Sequence, residues 1–155
     1  MSRATTIHET FEIERTYDVP VATLFRAWSD PHRKARWFAG SADALGAGYE
    51  LDFRIGGREV NRGGPPGGPV YTYESEFRDI VADQRIVSTY EMSADETRIS
   101  VSVATVEFRD LGDTTRLVLT EQGVFLDGHD TAAQREAGTR ASLEALAAVV
   151  QGAGS

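Results

Sequence analysis

In TRLVLTEQ, residues 115–122, Leu117 and Leu119 set an apolar parity that falls next on Glu121. A regular strand would aim that carboxylate at the interior, where it must be hydrogen-bonded, shifted towards its neutral form, or wet. A strand that ended or bulged before it would leave it in solvent. Facing inward, Glu121 could pair with Arg140 or Arg135 near the C-terminus, and such a pair on a cavity wall would orient the polar end of a ligand. Tyr71, Tyr73 and Tyr90 could offer hydroxyls to the same space or serve only in strand packing. Proton transfer by Glu121 with a tyrosine or arginine would need a carboxyl whose pKa burial has raised.

The aromatic supply is concentrated in RAWSDPHRKARWFAG, residues 26–40, which holds both tryptophans. Trp28 shares a stripe with Leu24 and Phe25 and reads as core. Trp37 and Phe38, adjacent on a helix, would point about 100° apart, so one core contact cannot use both and one ring is available to a cavity.

Other chemistries find little support. There is no cysteine, so disulfides, thiolate nucleophiles and cysteine-ligated metals are excluded. His8, His32 and His129 are scattered and form no ligand spacing, so no metal is expected. No serine sits in a GxSxG turn. The run from Gly56 to Pro69 is dense in glycine and proline but lacks the lysine and Ser/Thr of a phosphate loop. Glu12 with Glu14, and Asp95 with Glu96, read as solvated surface. No cofactor is implied. With 24 acidic against 16 basic residues the net charge is -8, a field that repels nucleic acid and anionic membranes. The N-terminal MSRATTIHETFEIERTY has no apolar run of a signal peptide, and no stretch suits membrane insertion. A cytoplasmic protein is expected.

The elements that must position these residues follow from periodicity. TFEIERTY, residues 10–17, alternates as a half-buried strand. PVATLFRAW suits a short amphipathic helix with Pro20 in its first turn, and Ser29 or Asp30 can cap a second helix that starts at Pro31. YELDFRI, residues 49–55, alternates most cleanly of all. GGREVNRGGPPGGPVYTYESEF reads as turns and hairpin, then as a strand through Tyr71, Tyr73, Ser75 and Phe77. QRIVSTYEM (84–92), RISVSVATVEF (98–108) and TTRLVLTEQ (114–122) add three strands, whose outward parity reads as charged. TAAQREAGTRASLEALAAVVQ then forms one helix, with Asp130 or Thr131 as cap and Thr131 to Gln134 spaced as a capping box. At about 20 residues it would span ~30 Å. Its stripe is Thr139, Leu143, Leu146 and Val150. The result is α+β, a meandering antiparallel sheet with its helices on one side.

The strings VPVATLFRAWSDPHRKARWF, GAGYELDFR, YESEFRDIVADQRIVSTYE, TVEFRDLGDTTRLVLTEQG and EAGTRASLEALAAVV, in that order, resemble the START-like (SRPBCC) helix-grip superfamily. Within it they are most similar to proteins like the C-terminal domain of the activator of Hsp90 ATPase. The resemblance implies a curved antiparallel sheet wrapped around a long C-terminal helix, two short helices after strand one, and in many members a cavity between sheet and helix. It does not imply one chemistry. Where the last helix of such proteins usually carries glycine then tryptophan, this chain has Gly138 then Thr139, which should enlarge the wedge or admit another group.

A single domain over residues 10–151 is expected, with tails at 1–9 and 152–155. The leading functional expectation is a domain that binds a small apolar or amphipathic molecule on a wall made by Trp37, Phe38, Phe53, Tyr71, Tyr73, Tyr90, Glu121, Phe125, Thr139, Arg140 and Leu143. The alternatives are a polyketide cyclase/dehydratase-like or hydrolase-like enzyme in the same cavity, or a module acting on the Hsp90 chaperone. A monomer or a homodimer would fit.

Overall fold

A computed structural model describes residues 3–152; the outermost residues of both expected tails, 1–2 and 153–155, lie outside the described residues. Strand β1 (Thr6–Tyr17) leads into helices α1 (Val21–Ser29) and α2 (Pro31–Phe38), and a single 3-10 turn at Ala42–Ala44 follows. Strands β2 (Tyr49–Leu51), β3 (Arg58–Gly63), β4 (Tyr71–Val81), β5 (Arg85–Ala94), β6 (Thr97–Asp110) and β7 (Thr115–Leu126) precede helix α3 (Ala132–Gln151). The strands form one sheet in the order β1-β7-β6-β5-β4-β3-β2, antiparallel throughout. This is the helix-grip α+β arrangement, with α3 packed on the inner face of the sheet.

Local chemistry fixes the helix starts. The Asp30 carboxylate accepts from the amides of His32 and Arg33, so Asp30 rather than Ser29 caps α2, with Pro31 needing no partner at its first position. Thr131 caps α3 by accepting from the Gln134 amide. Pro20 stands one residue before the first turn of α1 and makes no side-chain cap.

Four boundaries differ from the sequence reading. β1 starts at Thr6, so residues 6–9 of the expected tail pair with Gly123–Leu126; their side chains are exposed, which removes the burial alternation that would reveal a strand. Conversely, YELDFRI is a strand only to Leu51. Beyond it the Arg54 amide bonds the Asp52 carbonyl and the Gly57 amide the Arg54 carbonyl, folding the chain into turns with Gly56 at a φ of 83°. The glycine-rich stretch after it contains a whole strand, β3, whose Glu59 and Asn61 face inward. β7 runs through Gly123 to Leu126, paired with β1 on one side and β6 on the other; the inner face is tight at that glycine, where a Cβ would meet Ser102 Oγ at 3.1 Å and the Phe125 ring at 3.3 Å. The outward parity of β6 is not charged where Val101 and Val103 stand exposed.

One core spans the helices and half of the sheet, built on Leu24, Phe25, Trp28, Phe108, Leu117, Leu143 and Leu146. Phe25 and Trp28 meet the Phe108 ring edge-on at 5.2 and 6.1 Å. Tyr17, fully buried at the end of β1, donates from its hydroxyl to the Leu143 carbonyl at 2.9 Å and ties α3 to the sheet edge. Tyr17→Phe keeps the ring and removes one buried hydrogen bond from a carbonyl that retains its helical partner, so it should cost about 0.5–1.5 kcal/mol in urea unfolding. A variant indistinguishable from the parent would mean the bond is replaced by water.

Among the described residues no helix is long and apolar enough to cross a membrane.

Candidate functional site

Register places rows of side chains from neighbouring strands across the inner face. One row runs Phe11, Glu121, Ala104, Ser88, Phe77, and the next Gly123, Ser102, Tyr90, Ser75, Glu59. Half of this floor is polar, unlike the aliphatic row of Ile13, Leu119, Val106 and Ile86 beside it. Helix α3 crosses the polar half with Gly138, Thr139 and Ser142, too small to reach the floor, and closes on the aliphatic half with Leu143. A pocket of about 340 Å³ remains between them.

At one end of the pocket stands Glu121, only 5% exposed. Its Oε1 accepts from the Tyr90 hydroxyl and lies 3.5 Å from Arg135 Nη1. Arg135 also donates to Tyr90 Oη at 2.7 Å, Ser100 Oγ at 2.8 Å and Asp130 Oδ2 at 2.7 Å. Burial pushes the Glu121 carboxyl above the ordinary carboxylate range, and the Tyr90 bond and the Arg135 charge hold back part of that rise. Burial, then the neighbouring Glu121 charge, pushes the Tyr90 hydroxyl up, so it remains a donor at neutral pH.

At the other end, Lys34 is 3% exposed and Glu59 1%. Lys34 Nζ sits 2.8 Å from Glu59 Oε2, which also accepts from the buried Tyr49 hydroxyl. The ammonium lies over three rings: Phe38 at 4.4 Å, Trp28 at 4.9 Å and Trp37 at 5.3 Å. Trp37 is held by its own Nε1–H, which donates to the Ala27 carbonyl at 2.9 Å. The aromatic cluster in RAWSDPHRKARWFAG therefore encloses a lysine as well as filling core.

Trp37, Phe38, Phe53, Tyr73, Tyr90, Glu121, Thr139 and Leu143 are all on the pocket wall. Tyr73 packs on Tyr90 at 4.6 Å and on Phe38 at 5.2 Å. Tyr71, Phe125 and Arg140 are not brought there. Tyr71 lies at the start of β4 beside the glycine-rich loop and is 42% exposed. Phe125 is buried but stands under the Arg135 guanidinium, 5.4 Å away, and so supports the pocket's polar end without lining it. Arg140 is turned out of the grip and pairs with Glu136 one turn back. Of the two arginines considered as partners for Glu121, Arg135 is the one that reaches it.

Lys34 and Glu59 escaped the sequence reading. A signal existed for Lys34, since it lies three residues before Trp37 and four before Phe38, on the helix face the two rings straddle. Glu59 offered none, because its strand is masked by the glycines around it.

The family model described as Activator of Hsp90 ATPase homolog 1-like protein matches residues 18–151. The solved structure of the protein Mll3558 from Rhizobium loti is 48% identical, covers 94% of this chain and 99% of its own, and superposes with a TM-score of 0.87. A protein from Rhizobium leguminosarum is 40% identical over 97% of this chain and 99% of its own, with a TM-score of 0.91. CalU16 from Micromonospora echinospora, 21% identical over 93% of this chain and 66% of its own at a TM-score of 0.62, shares the fold. No curated protein matches the chain.

Proposed function

We propose, from the premise that this chain belongs to the Activator of Hsp90 ATPase homolog 1-like family and through it to the START-like superfamily, that it holds a small, largely apolar molecule bearing a polar group beneath α3. The observation that carries this reading is the pocket left where Gly138, Thr139 and Ser142 pass over the sheet. Its 340 Å³ falls in the lower part of the range of about 300–1,000 Å³ typical of small-molecule sites. Rings from Phe38, Phe53, Tyr73 and Phe77 supply apolar contact, and the Glu121–Tyr90–Arg135 cluster supplies orientation at one end.

Thr139→Trp tests it, because an indole at that position would occupy the space. Native mass spectrometry and tryptophan fluorescence against a library of aromatic and alicyclic compounds should find ligands for the parent chain. Binding by the variant should fall at least about tenfold while its melting temperature holds or rises, since filling a cavity adds contacts. Undiminished binding by the variant would remove the pocket as the site.

One observation favours a second, catalytic reading: burial raises the Glu121 carboxyl, as a general acid in a cyclase-like or dehydratase-like reaction would require. Glu121→Gln would then abolish turnover of a bound substrate, and equal turnover by the variant would dismiss this reading.

A further inference from the structure

The charges on the pocket wall do not balance. Its cations are Lys34 and Arg135, and its carboxylates are Glu59, Glu121 and Asp130, two against three. Both cations are already committed. Lys34 is bound to Glu59 at 2.8 Å. Arg135 gives Nη2 to Asp130 and Ser100, and Nη1 to Tyr90 beside Glu121. An entering anion would find no unpaired positive group to replace its lost water, and would stand among carboxylates that repel it.

Among the described residues the wall's one buried side-chain donor without a partner is the neutral Trp28 Nε1–H, whereas the unshared acceptors are carboxylate oxygens. On Glu121 the Tyr90 bond and the Arg135 contact converge on Oε1, and Oε2 carries neither. On Glu59 the Lys34 and Tyr49 bonds converge on Oε2, and Oε1 carries neither. Asp130 has both oxygens engaged within the chain, Oδ2 by Arg135 and Oδ1 by the Thr131 amide. Each end of the pocket thus presents a buried carboxylate with one oxygen outside its internal ion pair. Such an oxygen is satisfied by a donor and by nothing else.

We infer that the guest is a hydrogen-bond donor, an amine or hydroxyl compound on an apolar frame, and that carboxylates of the same frame are rejected. This rests on the pocket reading above and narrows it. Selectivity of this kind comes from the wrong ligand leaving buried polar groups unpaired, which costs the full desolvation penalty of each group. An ammonium guest gains further from the excess carboxylate and from the faces of Phe38 and Tyr73.

A matched series on one frame tests the inference: naphthylmethylamine, naphthylmethanol, naphthoate and methylnaphthalene, titrated calorimetrically into the whole chain at pH 7. The amine and the alcohol should bind at least about tenfold tighter than naphthoate, a difference of about 1.4 kcal/mol. In Glu121→Gln the advantage of the amine over methylnaphthalene, both measured on the variant, should fall by a similar factor. Naphthoate binding as tightly as the amine and the alcohol overturns the inference and leaves the pocket reading standing. If no member binds, methylnaphthalene included, the pocket reading falls and takes the inference with it.

Discussion

Lys34→Met should lower the stability of the fold by about 3–5 kcal/mol, read as a shift of the urea unfolding midpoint at pH 7 with an unchanged slope. The size follows from what remains. Glu59 is 1% exposed and, among the described residues, Lys34 is the one cation within ion-pair distance of it, so the variant leaves a charge in the interior with no counter-ion. Methionine keeps an unbranched chain beneath the Trp28, Trp37 and Phe38 rings, which separates loss of charge from loss of packing. The double replacement Lys34→Met with Glu59→Leu removes both charges and should recover most of the deficit, because a buried pair contributes little net stability over apolar groups of similar shape. What it does not recover belongs to the Tyr49 hydroxyl, which then lacks its acceptor. A single variant within about 1 kcal/mol of the parent would mean that Glu59 is not left as an uncompensated interior charge.

This pair also marks the limit of what the chain discloses as text. Glu121 was legible because a strand has a period of two and Leu117 and Leu119 fixed its phase. The caps of α2 and α3 were legible to within two residues each, Ser29 or Asp30 and Asp130 or Thr131, because a cap is a local contact between one side chain and the next turn. The curvature that brings α2 against β3 is not local, and Lys34 and Glu59 are 25 positions apart in chain number. Nothing in either short stretch announces the other. Tyr71 and Tyr73 show the same limit within one strand: parity puts both on the same face, but only Tyr73 lies far enough along β4 to be covered. For Arg140 the error was rotational. Five residues beyond Arg135, it lies about 140° around the helix, which turns it to solvent.

The two ion pairs bracket the pocket from opposite ends, and each joins a helix to the sheet: α2 to β3 through Lys34 and Glu59, α3 to β7 through Arg135 and Glu121. A cavity beneath a helix forfeits the packing that would otherwise hold that helix down. These pairs, with the Tyr17 bond to Leu143, fasten the helices around the space. That arrangement explains why so many charged groups lie inside a domain of ordinary size: the half of the floor left without aliphatic contact is the half with polar ties.

Arg135→Met is the second large effect, also about 3–5 kcal/mol at neutral pH, and it carries a pH signature that Lys34→Met does not test. In the parent, Glu121 has a carboxyl raised above its unfolded value by burial. A raised acid binds more protons folded than unfolded, so its contribution is fully present below the unfolded carboxylate range and is lost as pH climbs through the folded value. Arg135 limits that loss by favouring the charged form. Without it the folded value moves further up, and the losing window widens towards neutrality. The deficit of Arg135→Met relative to the parent should therefore be small near pH 4 and grow towards pH 7, measured as unfolding midpoints in urea across that interval. Titration of exposed carboxylates is common to both proteins and cancels in the difference. Asp130 also loses a partner, so the comparison is repeated with Asp130→Asn in both backgrounds, where the remaining slope belongs to Glu121. A deficit equal at pH 4 and pH 7 would show that Glu121 does not titrate in that window, and its placement as a buried, singly paired carboxylate would have to be abandoned.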